Sequence, residues 1–394
     1  HAKNITGRQK KKNCWLFTET SLDKHLHIIT HDVPWPADFG GVVDLFYKIK
    51  SLHALGIRIH LHCFVKERQP SEELLSYCES VNYYERKKGL TALSFSNPYI
   101  VQSRNHHKLL QRLQQDNHPV LMEGIHCTYL LKKGLLPGRK VFVRLHNVEY
   151  RYYRQLAKHE SNVLRKSYYL FESFLLQRYE KAIAGMAPLW AVSHEDCIHY
   201  QQRFGAPDIK FLPVFLPWQQ VSGSPGKGCY CLYHGNLAVN ENEKAADWLL
   251  NNVFNSLEIP FVVAGRNPSL PLRSLAHAHL HTCITVNPSE MEMQDMISKS
   301  QVNILPSFNK TGVKLKLLNA LYNGRHCLVN KAGIAGSGLE GLCHLAESAD
   351  EFRKQAATLY HQDFSKEDLE RRRQVLEELY DNEKNSRQLI AWIY

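Results

Sequence analysis

Three short stretches of this 394-residue chain pair a glycine with a polar or basic neighbour directly after an apolar run: Gly235-Asn236, Gly265-Arg266 and Thr311-Gly312. The runs before them, Cys229 to Tyr233, Phe261 to Ala264 and Val302 to Leu305, have the length of buried strands. The third stretch opens GVKLKLLNAL, whose apolar spacing is helical and which carries Lys314 and Lys316. A helix N-terminus with free N–H groups, a glycine that admits a ligand to the backbone and two adjacent lysines make a cradle for a pyrophosphate. Any one of these glycines is better explained as a turn residue, and any one lysine as solvated surface. Three at corresponding strand ends point to a phosphate-bearing ligand. No GxGxxG opens either half of the chain, which argues against a nicotinamide dinucleotide. GSPGKG at 223–228 lacks the length and the following Ser or Thr of a P-loop.

Such residues need a sheet to hold them at one edge. Leu26 to Thr30 reads as a strand and His31 to Gly41 as a loop rich in proline and glycine. Val42, Leu45, Phe46, Ile49 and Leu52 keep helical spacing until Gly56, and Ile57, Ile59, Leu61 and Cys63 then alternate with polar residues as a half-buried strand does. Further strands are expected at Pro119 to Met122, followed by a helix ending at Gly134, and at Val141 to Leu145, Leu189 to Val192 and Cys327 to Val329. Alternating strands and helices predict an α/β protein with parallel sheets covered on both faces. The length suits two domains. The expected architecture is two Rossmann-like domains facing across a cleft, with ligands beyond the carboxyl ends of the strands. Residues 366–394 read as a helix capped by Ser365 and Asp368.

The chain carries 49 Lys plus Arg against 38 Asp plus Glu, a formal charge of +11. Residues 1–217 hold 31 cations and 19 anions, whereas residues 218–394 hold 18 and 19, so an anionic partner belongs to the first half. From Tyr150 to Tyr179, Arg151, Arg154, Lys158, Arg165, Lys166 and Arg178 interleave with tyrosines and phenylalanines. That pattern suits a helix packed on its own domain, an acidic membrane surface or single-stranded nucleic acid. With no nucleic-acid motif elsewhere, no nucleic-acid partner is expected. Ten scattered cysteines without a CxxC pair favour a reduced, cytoplasmic protein over a disulfide framework or a zinc site. No apolar run reaches the roughly 18 residues that span a bilayer, so the expectation is a cytoplasmic protein with peripheral contact at the inner face of the membrane. Residues 1–24 read as a basic arm without a signal-peptide core.

The stretches PWPADFGG, VRLHNVEY, YHGNLAVNENEKAADWLL, VVAGRNP and ILPSFNKTGVKLKLLNALYNG, in this order and spacing, resemble retaining glycosyltransferases of the GT-B fold, close to glycosyltransferase family 4. The resemblance covers nearly the whole chain after about residue 25. It implies a hexosyltransferase with an N-terminal acceptor domain over residues 25–217 and a nucleotide-sugar donor domain over 218–365. It further implies that the C-terminal helix, 366–394, crosses back to the first domain, and that neither a metal nor another cofactor is needed. Gly40 and Gly41 match the glycine-rich loop that approaches the donor pyrophosphate, and His146 matches the family histidine beside the donor sugar. Lys314 and Lys316 would neutralise the leaving diphosphate. Gly235, Asn236, Arg266, Thr311, Gly312 and Asn319 would line the donor, and His31, Glu123 and Glu149 are the acceptor candidates.

Two departures from the family pattern stand out. Two glutamates, eight residues apart in the family, are replaced by Thr311 and Asn319. Asn319 can still meet ribose hydroxyls through its amide, whereas Thr311 removes a charge. Asn236 stands where arginine is common, with Lys244 farther along and Arg266 as a compensating cation. The expected function is retaining transfer to a glycan or lipid-linked acceptor in cell-surface polysaccharide or glycolipid synthesis. The alternatives are a catalytically silent GT-B binding partner and a sugar-nucleotide epimerase of the same architecture.

Overall fold

A computed structural model describes residues 23–38 and 40–394; all but the last two residues of the expected basic arm lie outside them. The first sheet contains β1 (His25–Thr30), β2 (Arg58–Val65), β3 (Ser80–Glu85), β4 (Val120–Glu123), β5 (Val141–Leu145), β6 (Leu189–Ala191) and β7 (Ile209–Phe211). Their order is β3-β2-β1-β4-β5-β6-β7, and every pairing is parallel. The second sheet contains β8 (Cys231–Asn236), β9 (Phe261–Arg266), β10 (Thr282–Val286), β11 (Val302–Ile304), β12 (His326–Val329) and β13 (His344–Leu345). It is again parallel, in the order β10-β9-β8-β11-β12-β13. The two sheets are the pair of Rossmann-like domains that the alternating pattern predicts. Strand order reverses between β1 and β4, and between β8 and β11. Loops leaving such neighbours diverge and open a crevice.

Alternation in β1 decides which face is which. Leu26 and Ile28 join Phe46, Ile49 and Leu52 of the helix Gly40–Ala54 in one core, and Ile29 joins Val120 and Met122 in the core on the other face. Gly56, at φ +82°, ends that helix and turns the chain into β2. The four strands missing from the sequence reading, β3, β7, β10 and β13, are the four sheet edges. Edge strands bury less and therefore show no continuous apolar run.

Several element boundaries differ from expectation. β8 and β9 run on through Gly235-Asn236 and Gly265-Arg266, which pair with each other instead of forming turns. A Cβ on Gly265 would lie 2.0 Å from the Gly235 carbonyl oxygen, so this glycine answers to strand packing. The helix expected from Gly312 starts at Leu315, because Gly312 has φ +66°, outside the right-handed helical region. The segment after β4 is a 3-10 turn and the short helix Tyr129–Lys132 instead of one helix.

The C-terminal tail is two helices. Lys366–Leu379 packs on the second domain, with Leu376 in its core. Asn382–Ile393 packs on the first, where Leu389 and Ile393 join the β1 core and Ser386 Oγ lies 2.8 Å from Ser51 Oγ. The chain between the domains is shared similarly: Leu212 and Phe215 belong to the first domain's core, Val214 and Leu216 to the second's. None of the described helices is long and apolar enough to cross a membrane.

Candidate active site

At the first crevice, β1 delivers His31, β4 delivers Glu123 and β5 delivers His146. Glu123 is fully buried, and both its oxygens are engaged. Lys48 Nζ lies 2.8 Å from Oε1, and His146 Nε2 lies 3.0 Å from Oε2. Lys48 also reaches Asp44 at 3.0 Å, one helical turn earlier, and Arg144 lies 3.5 Å from the other Asp44 oxygen. Burial alone would raise the Glu123 pKa, but Lys48 and the His146 hydrogen bond outweigh it and hold the carboxyl below its usual range. Asp44 is lowered in the same way, burial being overcome by Lys48, Arg144 and His146. Asp44, Glu123 and His146 bring three ligand-type atoms within 4.8 Å of one another, and Lys48 already places a positive charge among them.

His31 sits above this network, 5.8 Å from the His146 ring and 5.3 Å from the His126 ring. Burial, with His146 and Arg104 adding to it, pushes the His31 pKa down to about 3, and His126 is also held well below its ordinary value. Both rings are therefore neutral, and the Nδ1 of each is buried without a hydrogen-bond partner. Glu149 opens the helix Glu149–His159 and is buried beside Glu180, which accepts the Glu149 and Tyr150 backbone N–H groups at 2.9 and 3.0 Å. Burial and then the Glu180 charge raise the Glu149 pKa to about 8, so its carboxyl keeps its proton at neutral pH.

At the second crevice, the loop after β11 is folded onto the helix Asn240–Asn252. Glu241 accepts from Ser307 Oγ at 2.9 Å and from Asn309 Nδ2 at 3.3 Å, while Asn309 Oδ1 accepts from both the Thr311 N–H and hydroxyl at 2.8 Å. Lys314 Nζ donates to the Thr311 carbonyl at 2.5 Å. Lys316 Nζ donates to Asn242 Oδ1 at 3.0 Å and lies 4.9 Å from the Tyr233 ring centre. Burial lowers the Lys316 pKa to about 8 and lowers Lys314 as well. At the far end of the helix Leu315–Asn323, buried Arg372 donates to the carbonyls of Leu321, Gly324 and Arg325 at 3.2, 2.8 and 2.7 Å. Arg372 satisfies the negative end of the helix dipole, and the first turn has no acidic residue to satisfy the positive end.

The two crevices face each other. A Cβ at Gly40, the first residue of the helix Gly40–Ala54, would lie 3.9 Å from Leu315 Cγ, so two helix N-termini meet across the cleft. A Cβ at Gly312 would lie 2.4 Å from Asn147 Oδ1, beside His146. Arg266 Nη1 reaches Asp38 Oδ2 at 3.4 Å, joining the domains by an exposed ion pair. A cavity of about 360 Å³ between them is lined by Arg151, Arg154, Lys158, Lys310, Thr311 and Gly312, among others.

The geometry thus gathers Gly40, Gly41, His31, His146, Gly235, Thr311, Gly312, Lys314 and Lys316 around one cleft. It assigns other duties to the remaining candidates. Glu123 is a buried anchor for His146 with no oxygen left for an acceptor. Asn236 Oδ1 is turned back onto the Ala238 N–H at 3.1 Å, and Asn319 Oδ1 accepts from Asn323 Nδ2 at 2.7 Å. Asp44, Lys48, Arg104, His126, Asn147, Glu241 and Asn309 were not singled out in the sequence. Only Asp44 and Lys48 left a signal there, as charges four apart inside the apolar stripe of the first helix.

Comparison with known proteins agrees with this fold. Residues 228–362 match the family model described as Glycosyl transferases group 1. A Klebsiella pneumoniae protein, described as an uncharacterized 44.6 kDa protein in the cps region, is 26% identical over 336 residues, covering 79% of this chain and 84% of its own. WaaG, a glycosyltransferase involved in lipopolysaccharide biosynthesis, superposes with a TM-score of 0.64 at 11% identity, covering 93% of this chain and 99% of its own. Sucrose-phosphate synthase from Thermosynechococcus elongatus gives 0.63 at 13% identity, covering 94% and 98%. At these identities the solved structures speak for the fold, and the family match supports a glycosyltransferase function. The chain has the GT-B fold, and residues 228–362 of its second domain match the group 1 glycosyl transferase model.

Proposed function

We propose that this protein transfers a sugar from a nucleotide-sugar to a glycan or lipid-linked acceptor with retention of configuration. The observation that carries the reading is the meeting of two helix N-termini at Gly40 and Leu315, with Lys314 and Lys316 beside them. Their free N–H groups and ammonium groups match a diphosphate, whose charge grows as the sugar departs. The bond from the sugar C1 to the diphosphate oxygen breaks, and a bond from C1 to the acceptor hydroxyl oxygen forms on the same face. The hydroxyl proton passes to the departing diphosphate. His146, held by Glu123, orients the donor sugar, and the lysines supply the countercharge without a metal. The cps-region relative favours a role in cell-surface polysaccharide synthesis.

Incubation with a panel of UDP-, GDP- and ADP-sugars, followed by NMR, tests this. Sugar transfer with nucleotide release is expected once an acceptor is present. Interconversion of sugars without an acceptor would instead mean an epimerase, and failure to bind any donor would overturn the enzyme readings. A silent binding protein is the second reading, favoured by the occupied Asn319 amide; it binds a donor without consuming it.

The acceptor side carries a second element of the proposal, contact with an anionic membrane. Leu90, Leu93 and Phe95 are exposed, as are Val163, Leu164, Phe171 and Phe174 of the helix Val163–Ile183, and Phe95, 93% exposed, lies 6.4 Å from the Phe171 ring. Lys87, Lys88, Arg165, Lys166 and Arg178 belong to the same two segments. Apolar side chains among cations suit the headgroup boundary of an acidic bilayer. Vesicle binding should rise with anionic lipid and fall with salt, and binding indifferent to both would remove this element.

A further inference from the structure

Away from the cleft, at the amino end of β1, five imidazoles meet on the face of the first sheet that the helix His107–Leu113 covers. His27 and His62 are buried, and every ring nitrogen has a partner. His27 Nε2 lies 3.0 Å from the Asp116 carboxylate, the two rings share a 2.8 Å contact, and His62 Nδ1 lies 2.9 Å from the Tyr84 hydroxyl. His25, His60 and His118 are only half-buried; His25 and His60 repeat the same ring-to-ring contact nearer the solvent, and His118 adds a third ring to them.

His25 Nδ1 faces His60 Nε2 at 2.9 Å. The outer nitrogen of each ring has its own partner: His60 Nδ1 lies 3.0 Å from Ser80 Oγ, and His25 Nε2 lies 3.5 Å from Asp23 Oδ2. The Asp23 carboxylate favours a proton on His25 Nε2, which leaves the His25 Nδ1 lone pair aimed at His60 Nε2. With the Ser80 hydroxyl donating to His60 Nδ1, a neutral hydrogen bond joins the two rings; with Ser80 accepting, both inner nitrogens face one gap and share a positive charge, a proton or a metal ion. His118 stacks on His25 with ring centres 4.5 Å apart, and it completes a set of three ligand nitrogens within 4.8 Å of one another. A tetrahedral zinc with bonds of about 2.0–2.1 Å holds its nitrogens roughly 3.3 Å apart, so His25 and His60 would spread by tenths of an ångström and the stacked His118 ring would turn its edge toward them. Ser80 and Asp23 stand where outer-shell partners of ligating histidines stand.

We propose that His25, His60 and His118 bind one divalent transition-metal ion of the zinc class, with water completing its coordination. The ion would tie β1 and β2 to the segment entering β4. Its distance from the cleft makes it structural, and the proposal is independent of the transfer reaction.

The test is titration of chelator-stripped full-length protein with Co²⁺, followed by visible absorbance, and with Zn²⁺, followed by calorimetry and melting temperature. One equivalent is expected to bind with a tetrahedral Co²⁺ spectrum that Zn²⁺ displaces, and Zn²⁺ should raise the melting temperature. His118→Ala should weaken binding by about 100-fold and Ser80→Ala, a milder change, by about 10-fold. His53→Ala, an exposed histidine on another helix, should leave binding intact. Circular dichroism separates lost binding from lost folding, and Ser80→Ala keeps the test decisive if His118→Ala does not fold. The absence of stoichiometric binding, or affinity unchanged in either cluster variant, would overturn the proposal; the five rings would then share protons alone.

Discussion

His146 Nε2 lies 3.0 Å from Glu123 Oε2, and Glu123 is fully buried with Lys48 2.8 Å from its other oxygen. The histidine at the cleft is therefore oriented by a carboxylate whose own charge is balanced from the first helix. Replacing Glu123 leaves buried Lys48 and Arg144 with Asp44 as their one remaining carboxylate, an excess of buried positive charge that costs about 3 kcal/mol. Glu123→Gln should lower the urea midpoint accordingly, and Lys48→Met in the same chain should recover part of the loss. An unchanged midpoint in the single variant would mean the carboxylate carries no such pairing.

Lys316 is a cation proposed to meet the diphosphate, and loss of one preorganised charge-stabilising group costs roughly 100-fold in kcat. Lys316→Ala should show that loss in a transfer assay, and an undiminished rate would remove the assignment. Because its pKa is lowered to about 8, the free enzyme loses this charge as pH rises through that value. Donor affinity should weaken above pH 8 in the parent protein and stay level in Lys316→Arg, measured by calorimetry.

Gly312 combines φ +66° with an approach to Asn147 that leaves no room for a Cβ. Gly312→Ala carries about 1–2 kcal/mol of backbone strain in addition to the crowding. The expected result is weaker donor binding and a lower melting temperature. Asn147→Ala in the same chain should relieve the crowding and leave the strain. A full rescue by that second change would show that the left-handed backbone costs nothing here.

Glu149 holds its proton up to about pH 8 in the folded protein but only to the ordinary carboxyl range when unfolded. The folded state then binds more protons between these values, so its stability falls as pH rises through the window. The slope for one such group is up to about 1.4 kcal/mol per pH unit. Glu149→Gln should flatten the fall in stability between pH 5 and pH 8, read from urea midpoints. Parallel profiles for the two proteins would place the ionised carboxylate in the folded state.

Local sequence carried much of this protein. Apolar runs bounded by glycine located the central strands of both sheets, since a strand buried on both faces must be apolar throughout. The edge strands were silent for the converse reason: SVNYYE and TCITV keep polar residues because water reaches them. Strand-end reasoning pointed to Lys314, Lys316 and Gly312, and the family resemblance to His146; the structure brings these residues to one cleft, because in a parallel sheet position along the chain places a residue at a known edge. It placed Gly235-Asn236 and Gly265-Arg266 in turns, whereas β8 runs three residues past Tyr233 and β9 two past Ala264, and pairing through backbone atoms leaves no trace in residue type.

What the sequence by itself determined was the pair of parallel sheets, the edge at which their strands end and the confinement of positive charge to one half. What only the tertiary structure decided was partnership across distance. Lys48 and Glu123 are 75 residues apart and Arg266 and Asp38 are 228 apart, and no periodicity links such pairs. The same holds for the meeting of Gly40 with Leu315 and for the histidines gathered from β1, β2 and the approach to β4. Burial turns those meetings into anchored carboxylates, neutral rings and softened lysines, because the cost of a charge depends on surroundings that exist only once the chain has folded.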